Sequence, residues 1–213
     1  MFKAISAAAA SLFAASALLA APASAETIVI PPPPPGGITI DLVTINGSGC
    51  APGTAAVSVA PDNTAFTVTY SEYLAQAGGN SSPIDSRKNC QLAVRVNVPQ
   101  GYTYAIARAD YRGYADLADG ATGTQKASYY FQGMEQTIPV MHELNGPHAN
   151  NWQFSDEAGL YVYAPCDAIR NFNINTELRV DAGDSDETSF MTMDSTDGSI
   201  STTYQFSWKQ CDE

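Results

Sequence analysis

DSRKNCQLAVRVNVPQGYTYAIARADYRGYADL, residues 85–117, is the stretch from which the fold is read. Leu92, Val94, Val96 and Val98 alternate with Ala93, Arg95 and Asn97, the period of a half-buried strand. Pro99-Gln100-Gly101 turns the chain, and Tyr102 to Tyr111 runs back as a second strand. The pair is expected to form a central β-hairpin. On the returning strand Tyr102, Tyr104, Ile106, Arg108 and Asp110 fall on one face, because strand side chains alternate.

The same pattern continues outward. Residues 38–43, 57–59, 66–70, 128–131, 137–144, 160–163, 172–180, 190–193 and 201–208 read as further strands. Turns at Pro61-Asp62-Asn63-Thr64 and Ser195-Thr196-Asp197-Gly198 suggest hairpins. No long segment has helical period, and there is no internal repeat. The expected fold is all-β: an antiparallel β-sandwich of roughly eight to eleven strands, jelly-roll or Greek-key in type.

Upstream, residues 1–25 have a basic start at Lys3, an apolar Ala-rich stretch and the cleavage site Ala23-Ser24-Ala25, and so read as a signal peptide. The exported chain then starts at Glu26, with no membrane insertion after signal removal, since no second apolar run of about twenty residues follows. It has 188 residues, 9 basic and 22 acidic side chains and a net charge of −13. That length suits one domain, 38–213. The charge argues against nucleic acid, whose phosphates require clustered Lys and Arg. Residues 26–37, with Pro31 to Pro35 and Gly36-Gly37, read as an extended polyproline linker that spaces the domain from its neighbours.

Four cysteines in an exported chain point to two disulfides. Of the three connectivities, Cys50–Cys90 and Cys166–Cys211 are favoured, each joining strand edges within one half of the chain. A metal site would need close ligand pairs such as C-x-x-C, and the sequence has none.

GSGC (47–50), PDNTAFTVTY (61–70), DSRKNCQL (85–92), DYRGYADL (110–117), GTQ followed by YYFQG (123–133) and NINTELR (173–179) occur in order. Together they resemble a family of secreted fungal and bacterial proteins, domain of unknown function 4360, from about Asn46 to Cys211. The resemblance implies an exported, cysteine-bridged domain and brings no catalytic residues with it. The acidic stretch 181–187 and the proline run lie outside it.

Three constellations carry chemistry. Arg87, Lys88, Arg95, Arg108 and Arg112 form a basic cluster interleaved with Asp85, Asp110 and Asp116. A charge in line with core residues has to be paired, so Arg108 and Arg112 read as a structural network that bridges carboxylates and loop carbonyls. Alternatively Arg108, Arg112, Tyr114 and Asp116 grip an anionic ligand through the guanidinium fork. Trp152, in the loop 145–152, is placed to stack on a sugar ring. Adjacent Tyr129 and Tyr130 must point to opposite faces. Asp181, Asp184, Asp186 and Glu187 lack the spacing of an EF-hand and read as a solvated turn, the alternative being that their oxygens take Ca²⁺; no other cofactor is indicated.

Enzyme signatures are missing: no G-x-S-x-G, no H-E-x-x-H, no phosphate loop, and no sequence-adjacent partner for His142 or His148. The expected function is a non-catalytic secreted module that binds an extracellular glycan or cell-wall component. The alternatives are a small hydrolase acting on polysaccharide or peptide, and an inhibitor or effector of another protein.

Overall fold

The computed structural model describes residues 32–135, 139–157, 162–166, 168–193 and 201–211. Its strands are β1 (Thr39–Asn46), β2 (Ala55–Val59), β3 (Ala65–Tyr70), β4 (Leu74–Ala77), β5 (Arg87–Asn97) and β6 (Tyr102–Leu117). They continue with β7 (Thr122–Phe131), β8 (Val140–Asn145), β9 (His148–Asp156), β10 (Asn171–Asp181), β11 (Ser189–Thr192) and β12 (Thr202–Gln210). Among the described residues there is no α-helix, only a 3₁₀ turn at Pro83–Ser86, and so no helix long and apolar enough to cross a membrane. The signal segment and the turn 195–198 lie outside the described residues.

Two antiparallel sheets pack face to face. One has the order β1-β5-β10-β7-β8; the other runs β2-β3-β12-β6-β11-β4, with β9 also paired to β6. Inward side chains of both fill one core, including Phe66, Tyr104, Ile106, Tyr111, Phe131, Ile174, Leu178, Tyr204 and Phe206. Aromatic rings meet edge to face in it, as ring quadrupoles prefer: Tyr104 with Phe131 of the other sheet at 5.4 Å and with Phe206 of the neighbouring strand at 5.6 Å.

The expected hairpin at 99–101 is corrected. β5 belongs to the five-stranded sheet and β6 to the other, so Pro99-Gln100-Gly101 arches across the sandwich. Gly101 takes φ 81°, which a side chain would resist. Both arms of this arch bury a face, and that produces the same alternation a hairpin would. Nor do β11 and β12 pair with each other; both lie along β6. The β2–β3 hairpin is as expected.

A second correction concerns phase. In the β6–β12 ladder Gln205 faces Arg108 while Phe206 faces Ile106, leaving Ala107 as a bulge. An extra residue in one strand reverses the facing of everything beyond it. Tyr104 and Ile106 point into the core, but Arg108 points out, and Ala109 and Tyr111 take over the inner face.

Both disulfides are Cys50–Cys90 and Cys166–Cys211, as expected. The described end of the proline segment does not stand clear of the domain. Pro34 is buried, and a Cβ on Gly36 would lie 3.6 Å from the Pro99 ring.

Candidate functional site

Because the 99–101 arch crosses the sandwich, it splits the basic cluster. Arg87 and Arg95 lie on the outer face of the five-stranded sheet, in register with Arg179 and Asn171 of β10. Arg108 and Arg112 lie on the outer face of the other sheet, and Lys88 is tied to Asp85 at 2.7 Å.

Arg108, Arg112, Tyr114 and Asp116 do share one outer row of β6, beside Ser155, Gln153, Asn151 and Ala149 of β9. Tyr114 contacts Phe190 with ring centroids 6.0 Å apart. Trp152 does not join them. It sits in β9 rather than a loop, 5% exposed, on the inner face opposite Gly113 and stacked on Phe154 at 5.1 Å. A Cβ on Gly113 would come within 2.3 Å of the indole.

Arg108 is held by its own sheet. Its Nε donates to both Asp110 oxygens at 2.9 and 2.8 Å, and other guanidinium nitrogens donate to Glu157 and Ser155. Burial pushes the Asp110 carboxyl up, but hydrogen bonds from Arg108 and Ser155 outweigh it and hold the pKa below its usual value. The stability from this link is present above the ordinary aspartate range and is lost as pH falls through the lowered value. The Arg108 side chain is 35% exposed, so its network counts for less than a buried pair. Arg108→Ala is expected to cost about 1–2 kcal/mol, lowering the melting temperature by about 3–6 °C. An unchanged melt would show that the network contributes nothing and leave the guanidinium free for a ligand.

The acidic stretch folds on itself. Gly183 N–H donates to Asp181 Oδ1 at 2.9 Å, Glu187 N–H to Ser185 Oγ at 3.1 Å, and Gly79 N–H to the Asp186 carbonyl at 3.0 Å. Among the described residues no group of three or more His, Cys, Asp or Glu side chains gathers as a cation site.

The sequence reading missed a concave surface on the other face of the molecule. β10 is the middle strand of the five-stranded sheet. It buries Phe172, Ile174, Thr176, Leu178 and Val180, and turns Asn171, Asn173, Asn175, Glu177 and Arg179 outward. Register sets each outward residue between two neighbours: Asn173 between Ala93 and Tyr130, Asn175 between Gln91 and Ser128, Glu177 between Asn89 and Lys126. Two depressions, about 340 and 210 Å³, lie along this face and share Lys126 and Glu177 in their walls. Arg87 binds Glu177 at 2.5 Å, and that carboxylate holds the arginine pKa above its usual value. The available signal was N-F-N-I-N: three asparagines, disfavoured in strands, at successive outward positions of a central one.

Between the sheets, at their β8 and β9 edges, His142 Nε2 lies 2.6 Å from Asp156 Oδ1, whose side chain is 1% exposed. Tyr129 O–H donates to the other oxygen at 3.4 Å, and Phe154 stacks on the imidazole at 4.5 Å. Burial comes first among the causes that hold the Tyr129 hydroxyl well above its usual pKa, with the nearby Asp156 charge adding to it. Tyr130 points outward, as the pair rule required.

An "uncharacterized secreted protein" of Arthroderma benhamiae is 36% identical over 171 residues, 79% of this chain and 70% of the relative. Among solved structures, the enzymatically active domain of bacteriophage CBA120 tailspike protein 4 matches 82% of this chain at 8% identity and a TM-score of 0.26; the match spans 19% of that chain. The family described as Domain of unknown function (DUF4360) matches residues 36–211, a range that takes in the acidic stretch as well as the six motifs. The chain therefore belongs to the DUF4360 family.

Proposed function

We propose that this protein is a secreted, non-catalytic binding module, and that an extracellular or cell-wall glycan lies along β10 on the outer face of the five-stranded sheet. The observation that supports it is the outward asparagine row beside two adjoining depressions. Asn, Gln, Ser and Thr side chains pair donors and acceptors at short range, which suits the vicinal hydroxyls of sugars. Their position on a rigid sheet fixes their spacing without cost in ordering. Two disulfides and a secreted relative fit an extracellular setting.

The hydrolase reading finds less support. Two-carboxylate glycosidases set their carboxyls about 5–10 Å apart. The carboxylates lining the larger depression, Glu177 and Asp181, are four residues apart on one strand, about 13 Å between Cα atoms.

The test is a glycan array with the chain from Glu26 onward. Binding is expected, and Asn173→Ala/Asn175→Ala should weaken it about tenfold, the loss of one or two hydrogen bonds. Arg112→Ala/Tyr114→Ala, on the opposite face, should leave it unchanged. Loss in the second variant instead of the first would move the site to β6, and no binding to any glycan would refute the reading.

A further inference from the structure

We infer that the ligand of this face carries a carboxylate that seats at Lys126, so that the groove selects uronic-acid sugars over neutral ones. The inference rests on the reading just given and adds the chemistry of the ligand to it.

Over the whole outer face the charges balance, Asp41, Glu143, Glu177 and Asp181 against Arg87, Arg95, Lys126 and Arg179. Around Glu177 itself cations gather: Arg87, Lys126 and Arg179 are its neighbours in the ladders, in a chain whose residues from Glu26 onward count 9 basic against 22 acidic. Arg87 and Arg179 stand directly opposite each other across the β5–β10 ladder. Like charges in that relation destabilise a sheet. Glu177 relieves one of them, because Arg87 holds it at 2.5 Å. Lys126 is in register with the same Glu177, yet among the described residues its side-chain ammonium forms neither an ion pair nor a hydrogen bond. It is half-buried and lines both depressions.

Among the described residues no other carboxylate pairs with the Lys126 ammonium. Asp181 is in register with Thr122, four residues from Lys126 along β7, about 13 Å away between rows. Glu143 faces Thr124 and is exposed. A cation that is partly desolvated and has no counter-ion is a ready partner for an anion.

The rest of the wall decides which anion. Asn175, Asn89 and Gln91 flank Lys126 with neutral amides. One charge among several hydroxyl-matching groups is the pattern of a uronic acid, a carboxylate on a polyhydroxylated ring.

The experiment uses the chain from Glu26 onward and isothermal titration calorimetry at about 0.15 M salt. The probes are tetramers of galacturonic, glucuronic and mannuronic acid, each beside its neutral hexose counterpart. At least one acid tetramer is expected to bind about tenfold more tightly than its neutral partner, the worth of one hydrogen bond to a charged group. Lys126→Ala should abolish that preference and leave the neutral affinity within about twofold. Lys126→Met, which keeps the side-chain stem, should do the same with an unchanged melting temperature. Equal binding of acid and neutral tetramers, or a preference that survives both substitutions, overturns the carboxylate inference and leaves the glycan groove standing. Absence of binding by all six tetramers overturns the inference, while the groove reading falls only if the glycan array is blank as well.

Discussion

His142→Ala lowers the stability of the domain by about 3–5 kcal/mol, the cost of leaving a buried charge without its partner. The melting temperature then falls by about ten degrees or more, on the scaling for a domain of this size. The expectation follows from the position of Asp156. Its side chain is 1% exposed, its shortest contact is the 2.6 Å bond to His142, and the 3.4 Å Tyr129 bond is a poor substitute. The pair joins β8, at the edge of one sheet, to β9 on the other, where no backbone ladder connects them. Removing the carboxylate as well should restore much of the loss: His142→Ala/Asp156→Asn is expected to melt well above His142→Ala. Thermal and urea melts of both variants give the answer. A single variant as stable as the parent would show that Asp156 is solvated without its histidine.

Loss of the Cys50–Cys90 bridge has an effect of similar size. It closes a loop 40 residues apart in sequence that contains β2, β3 and β4, and so ties a ribbon of one sheet to β5 of the other. The chain-entropy model gives about 4 kcal/mol for a loop of that length. Both half-cystines are essentially unexposed, so Cys50→Ala/Cys90→Ala loses burial in addition. The Cys166–Cys211 bridge closes 45 residues and has the same entropic worth, but Cys166 is exposed. Urea unfolding should therefore rank the first double variant as the less stable. A loss below about 1 kcal/mol would mean that native contacts already hold the ribbon in place.

The strands were legible because period-2 burial survives in the sequence, and so were both disulfides. What alternation does not record is which strand lies beside which. Leu92–Val98 and Tyr102–Tyr111 look the same whether they pair or face each other across a core, and here they face each other. Nor does alternation record a bulge. The methyl group of Ala107 is too small to betray one, and the single extra residue moved Arg108 from the core face to the surface. β9 was hidden for another reason. Its outward residues are Ala149, Asn151, Gln153 and Ser155, and its inward set includes Asp156, so the apolar pattern is reduced to Trp152 and Phe154. His142 lacked a visible partner because Asp156 is brought to it only by the packing of two sheets. The candidate groove combines both problems. Its residues come from β5, β7 and β10, which become neighbours only after the chain has crossed the sandwich four times.

Side-chain amide resonances report directly on whether ligand lies along β10, as proposed. In a ¹⁵N-labelled sample titrated with a glycan that the array selects, the side-chain NH₂ signals of Asn173, Asn175 and Gln91 should shift together and saturate at one affinity. Those of Asn151 and Gln153, on the outer face of β9, should stay where they are. Shifts confined to Asn151 and Gln153, with the β10 amides unmoved, would contradict the account.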